Sequence, residues 1–149
     1  MRVLTFLFIL FVSVTVNAYP VTDLRILPED VTNVYDGDTM TVQVSYLPDV
    51  FGSDLSIRVN GVDTPEMRST CATKELRDRE KALAIKARDV VIAMLSTGHR
   101  VTLTGLGRDK YFRLLATVKV DDKSVGDELI AQGLAVPYFG DTKVGWCHI

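Results

Sequence analysis

The sequence is poor in residues that carry special chemistry unaided. Among 149 residues there are two cysteines, two histidines and one tryptophan. So few cysteines exclude a disulfide-dense scaffold and allow one intramolecular bridge at most. Neither histidine is spaced with a cysteine as a zinc site requires. Five prolines and ten glycines, with no repeat and no low-complexity tract, exclude a collagen-like or disordered chain. Neither sign of charge predominates: 17 Lys plus Arg stand against 19 Asp plus Glu, a formal net charge of -2. No sequence-wide basic field therefore attracts polyanions, and a polyanionic substrate would need a local site. A Walker A loop and a dinucleotide fingerprint are also lacking. What remains, 47% hydrophobic and 24% charged, has the make-up of one globular domain.

The longest apolar run lies at the start. Met1 and Arg2 precede the almost wholly apolar Val3 to Val16, and Val16-Asn17-Ala18 has the small-residue spacing of a cleavage site. This pattern predicts a signal peptide over residues 1–18, removed on export to the periplasm or medium. The run is shorter than the roughly 20 residues that span a bilayer, which disfavours the alternative of an uncleaved anchor. The mature chain would begin at Tyr19, with 16 basic and 19 acidic residues, and would keep no stable membrane association. Export favours a bridge between Cys71 and Cys147, whose loop of about 75 residues would contribute roughly 4–5 kcal/mol by chain entropy. Two unrelated thiols are the alternative.

Residues 19–30 read as a lead-in with two prolines, and residues 31–149 as the domain. Strands are expected at Val31 to Tyr35, Thr39 to Ser45, Leu55 to Val59, Val101 to Leu106 and Leu114 to Val120. The second shows the clearest period of two, with Met40, Val42 and Val44 on one side. Tyr46 to Asp54 reads as a loop. From about Thr73 to Ser96 the period becomes helical, with Leu76, Leu83, Ala84, Ala87, Val90, Val91, Met94 and Leu95 in one stripe. The opposite face mixes Lys74, Arg77, Lys81 and Arg88 with Glu75, Asp78, Glu80 and Asp89, as a solvated face with ion pairs does. A short helix is expected from Gly126 to Ala135, with Leu129, Ile130 and Leu134 inward. Five short strands and few helices suggest a mainly β, α+β domain built on a small barrel, the oligonucleotide/oligosaccharide-binding (OB) type being the candidate.

Three clusters hold more polar chemistry than structure needs. The first is Asp36-Gly37-Asp38-Thr39, which alone reads as a hairpin turn. The second runs from Arg58 to Glu66 and ends in Asp63-Thr64-Pro65-Glu66. The third is Asp109-Lys110-Tyr111-Phe112-Arg113, alone a charged turn. Each is weak by itself, but together they form a workable set. Asp38 and Asp63 are hard oxygen donors of the kind Ca²⁺ or Mg²⁺ takes. Glu66 could hold a nucleophilic water, while Arg58 and Arg113 could pair with phosphate oxygens and stabilise charge during displacement. Metal, carboxylate base and two guanidinium groups suffice to hydrolyse a phosphodiester.

These residues also resemble a known family, that of staphylococcal nuclease (thermonuclease-like). The resemblance rests on Val34-Tyr35-Asp36-Gly37-Asp38-Thr39, on Ile57-Arg58 with Val62-Asp63-Thr64-Pro65-Glu66, on Asp109-Lys110-Tyr111-Phe112-Arg113, and on Glu128 to Ala135. It runs from about Val31 to Tyr138. It implies a five-stranded OB barrel with helices, one Ca²⁺, and attack by a metal-assisted water on DNA or RNA that leaves 3′-phosphates. Asp38 and Asp63 would then be metal ligands, with Thr64 adding its backbone carbonyl and Asp36 standing behind them. Glu66 would orient or deprotonate the water, and Arg58 and Arg113 would grip the scissile phosphate. Lys110 and Tyr111 would meet a neighbouring phosphate, and Tyr138 would stack on a base. Together with the signal peptide, this describes an exported nuclease, expected to act as a monomer. A catalytically silent OB module that only binds nucleic acid is the alternative, although such copies typically lack the acids or arginines. Three departures stand out: Phe112 where the family has Gly, a differing segment after Glu66, and the C-terminal tail. The longer C-terminal helical tail of the family is replaced by a shorter one, which Cys71 and Cys147 would clamp.

Overall fold

A computed structural model describes residues 23–143 and 145–148. The expected signal peptide, residues 1–18, and the start of the lead-in lie outside the described residues. The elements are β1 (Asp23–Ile26), β2 (Val31–Val34), β3 (Thr39–Val42), α1 (Asp49–Gly52), β4 (Leu55–Val59), β5 (Gly61–Asp63), α2 (Lys74–Thr97), β6 (Val101–Arg108), β7 (Leu114–Val120), β8 (Lys123–Ser124), α3 (Val125–Ala131) and β9 (Val136–Tyr138). Single 3-10 turns occupy Pro28–Asp30 and Trp146–His148. Seven strands form a curled mixed sheet in the order β1-β6-β7-β4-β3-β2, with β8 paired to β7; β5 and β9 make a separate two-stranded ribbon. The helices pack on it, giving an OB-like α+β fold.

The five expected strands are present, with shifted ends. β2 stops at Val34 and β3 at Val42. Beyond β3 the chain turns: Gln43 N–H donates to Asp30 and Val44 N–H to Gly52. Val44 stays fully buried without belonging to a strand. The loop from Tyr46 to Asp54 contains the single turn α1.

The lead-in is more than a lead-in. Asp23–Ile26 pairs antiparallel with β6, Asp23 opposite Thr104 and Ile26 opposite Val101. Leu24 and Ile26 point into the core while Asp23 and Arg25 face out. β5 and β9 were not foreseen either. Each has three residues, too few for a period, and they exist because they pair with one another.

Helix α2 follows its pattern closely. Thr73 caps it, its Oγ1 accepting from Leu76 N–H at 3.3 Å. Ala84, Ala87 and Val91 are buried against the sheet. Glu80 departs from the expected solvated face: it is 5% exposed. The segment after Glu66 folds over this turn of the helix, so the carboxylate is covered and bonded rather than solvated.

Helix α3 is shorter than expected. It ends at Ala131 because Gly133 takes a left-handed conformation, φ +67, and Leu134 N–H closes back on Leu129 C=O at 2.8 Å. Leu129 and Leu134 are buried; Ile130, expected inward, is exposed. The core lies between the sheet and α2 and α3, with Met40, Ile57, Val91, Leu103, Val118 and Leu129 among its most buried members.

Candidate functional site

Strand register brings the three clusters together. β3 and β4 are antiparallel, with Thr39 opposite Arg58, so the Asp36–Asp38 hairpin tip lies beside the outgoing end of β4. Val59 N–H donates to Asp38 C=O at 2.8 Å across this junction. β4 and β7 are parallel, with Ile57 opposite Leu114, so Arg113 enters the sheet next to Arg58. The β5–β9 ribbon sets Tyr138 opposite Gly61. Residues up to about 100 positions apart thus converge because three neighbouring strand ends meet on one side of the sheet.

There they line a cleft of about 680 Å³. Asp36, Asp38, Arg58, Glu66, Lys110, Tyr111, Arg113 and Tyr138, all expected site residues, form its walls, joined by Tyr35, Asp109, Phe139 and Lys143. Asp63 and Thr64 do not line it. Both are 1% exposed and sit one bond behind the wall. Cys71 and Cys147 stand apart from it and are joined as a disulfide, as expected.

Arg58 is the hub. Its Nη1 pairs with Asp38 Oδ2, and its Nη2 donates to Val62 C=O at 3.1 Å and lies 3.3 Å from Asp63 Oδ1. A guanidinium 7% exposed costs free energy to bury unless it is paired, and here two carboxylates face it. Burial lowers its pKa from the ordinary value, Asp63 opposing the shift and the neighbouring Arg113 adding to it. Asp38 is fixed from three sides: Thr64 N–H donates to Oδ2 at 3.0 Å, Thr39 Oγ1 to Oδ1 at 3.1 Å, and Arg58 pairs with it. Asp36 accepts from Asp38 N–H at 3.2 Å, which shapes the turn. Its pKa is raised to about 6, chiefly by burial and then by the charge of Glu66, with Arg58 acting the other way. The Thr64 hydroxyl is buried with no partner among the described residues.

Gly37 is required where it stands. A Cβ there would lie 2.8 Å from both Ala87 Cβ and Thr64 Cγ2. The Asp36–Asp38 turn is therefore pressed against α2 and the Thr64 loop at once, and only glycine permits that approach.

The third cluster is a tight loop organised by Asp109. Its Oδ1 accepts from Tyr111 N–H and Arg113 N–H, both at 2.9 Å, and its Oδ2 lies 2.7 Å from Arg113 Nε. Burial pushes the Asp109 pKa up, but the bonds from Arg113 and Tyr111 outweigh it and hold the carboxyl below its ordinary value. Arg113 is thereby oriented through Nε, and its terminal nitrogens have no hydrogen-bond partner among the described residues. Phe112 has φ +68, a left-handed conformation a bulky residue rarely takes. Arg108 donates to Phe112 C=O at 2.7 Å and stacks its guanidinium 4.9 Å from the Phe112 ring centroid.

Four contributors carried little or no sequence signal. Glu80 Oε1 accepts from Glu66 N–H at 3.2 Å and so holds the Glu66 backbone from below. Its other oxygen lies 3.2 Å from Cys71 Sγ, but a bridged sulfur has no proton to give and is no thiolate ligand. Lys143 Nζ lies 2.7 Å from Asp63 Oδ1 and 2.9 Å from Glu66 Oε1. Burial lowers the Lys143 pKa, but its bonds to Asp63 and Glu66 prevail and raise it. Trp146 Nε1 donates to Asp63 Oδ2 at 3.3 Å. Lys143 stands in an ordinary polar run, Gly140 to Lys143, which gave no hint. Trp146 carried a faint one, as the single tryptophan beside a bridged cysteine. Phe139, 81% exposed at the cleft rim, follows Tyr138 directly.

A family model described as "Staphylococcal nuclease homologue" matches residues 56–145. No curated protein matches the chain.

Proposed function

Because the chain belongs to the staphylococcal nuclease homologue family, we propose that it is a calcium-dependent nuclease that hydrolyses phosphodiester bonds of DNA or RNA and leaves 3′-phosphates. The observation that carries this reading is the convergence of polar groups at and just behind the cleft wall. Two arginines, a solvent-reachable glutamate and a buried pair of aspartates, drawn from distant parts of the chain, meet at adjoining strand ends.

The residues fit a calcium ion. Asp38 and Asp63 are hard, ionisable donors held together by one guanidinium, and Thr64 places its carbonyl in the same loop. Asp36, Asp38, Asp63 and Glu66 bring four carboxylates to the site, hard oxygen donors of the kind a divalent ion takes. Asp38, Asp63 and Thr64 would hold it, and when bound it would supply Lewis-acid stabilisation of charge on the phosphoryl oxygens.

The chain's own residues do the rest. Glu66, about half exposed, would accept a proton from the attacking water. Its backbone is anchored by Glu80, which fixes where that carboxylate starts. Arg113 is presented end-on by Asp109, so its terminal nitrogens are free to pair with a phosphate. Arg58, already desolvated, would gain strength against added negative charge because no water competes for it. Tyr111 and Lys110 border Arg113 and would meet the adjacent phosphate; Tyr138 would offer a face for a base. Export, with cleavage after Ala18, is part of the proposal and agrees with the bridge, since oxidising compartments keep disulfides.

The test is incubation of the oxidised protein with plasmid DNA and total RNA, in Ca²⁺ and in excess chelator. Chelator-sensitive cleavage to 3′-phosphate ends is the expected result. Binding without cleavage by folded protein would overturn it in favour of a silent binding module.

A further inference from the structure

The cleft already contains a cation of its own. Lys143 comes from the segment after β9 and inserts its ammonium between Asp63 and Glu66, 2.7 and 2.9 Å from one oxygen of each. Asp63 is among the most buried polar residues, and the same segment takes its second oxygen through Trp146. The segment is not free to drift: Cys147, four positions on, is bridged to Cys71, five positions after Glu66. This short cross-link keeps the ammonium at high effective concentration beside the carboxylates.

We propose that Lys143 is a tethered internal cation that competes with the divalent ion for Asp63. The inference rests on the reading of Asp63 as a metal ligand. Calcium–oxygen distances are about 2.3–2.6 Å, and Asp63 Oδ1 already has the ammonium at 2.7 Å. Charge repulsion adds to the exclusion, so Lys143 must leave Asp63 before the ion binds. The apparent affinity is reduced by the fraction of molecules in which Lys143 is seated. Without metal, the same contact neutralises a buried carboxylate whose charge would otherwise be costly. Lys143 therefore acts as a stand-in that keeps the acidic site folded and closed until calcium is abundant.

The test is calorimetric titration of Ca²⁺ into the oxidised wild type, Lys143→Gln and Lys143→Arg, with circular dichroism to verify the fold. Alongside it, ¹⁵N-detected NMR follows the Lys143 ammonium. The expected result is roughly tenfold tighter Ca²⁺ binding by Lys143→Gln, little gain for Lys143→Arg, and loss of the protected ammonium signal at saturating Ca²⁺. Equal or weaker binding by a folded Lys143→Gln would overturn the inference and leave the calcium reading standing. An ammonium signal unchanged by saturating Ca²⁺ would overturn it as well. Absence of Ca²⁺ binding in both the wild type and Lys143→Gln would overturn both readings.

Discussion

Gly37 sets how closely the Asp36–Asp38 turn approaches helix α2, and through it the position of a candidate ligand. Gly37→Ala is expected to cost about 1–3 kcal/mol by overpacking, read as a lowered urea midpoint, and to weaken Ca²⁺ binding with it. Glu66 is the complementary case: half exposed, it carries little of the fold. Glu66→Gln should leave the melting temperature nearly unchanged and keep Ca²⁺ binding, while cleavage falls about 10²–10⁴-fold, as loss of a general base predicts. An unaltered cleavage rate in Glu66→Gln would remove it from the mechanism. At this scale the sequence was informative where chemistry is unusual. Asp38, Arg58, Asp63, Glu66 and Arg113 stand in motifs whose polar density exceeds what a turn requires. Glu80 and Lys143 were illegible because their types are common on surfaces, and only tertiary packing makes one a buried anchor and the other a plug.

The Asp109–Arg113 loop behaves as one element, since a single carboxylate receives three bonds from it. Because those bonds hold the Asp109 pKa below its ordinary value, its contribution to stability is fully present above about pH 4. It is lost as pH falls through the lower folded value. Acid should thus open this loop, and Asp109→Asn should reproduce that loss at neutral pH, seen as a raised KM with the fold intact. Phe112 carries strain in the same loop. Phe112→Gly is expected to relieve about 1 kcal/mol of backbone strain, partly offset by losing the contact with Arg108 and by the unfolded-state entropy of glycine. Among elements, those long enough to show a period, α2 and strands of four or more residues such as β3 and β7, were readable from the chain alone. β5 and β9 were not, because a three-residue strand is defined by its partner rather than by its own pattern. β1 was hidden by its prolines: Pro20 and Pro28 flank an alternating Leu24-Arg25-Ile26 that reads as lead-in until β6 is beside it.

For the molecule as a whole, net acidity means that binding of a polyanion rests on a few local cations. A salt slope of about -2, the value for two or three phosphate contacts, is expected for substrate binding, and a much steeper slope would reveal a basic surface beyond the cleft. The Cys71–Cys147 bridge joins residues 76 apart and holds the last turn against α2. Replacing both by serine should cost about 2–4 kcal/mol, measured by denaturant unfolding. Charge and the possibility of one bridge could be inferred from composition; the convergence of the strand ends could not, because it depends on the parallel pairing of β4 with β7.

That last turn also carries the molecule's only tryptophan, and its indole N–H ends on Asp63. The protein therefore has an intrinsic optical probe bonded to a carboxylate just behind its cleft wall, with no second indole to dilute the signal. Excitation near 295 nm would report calcium entry, release of the tail or loss of the bridge as a change in emission, without any label. The bond that ties the tail to Asp63 is also what would make movement of that tail visible in a cuvette.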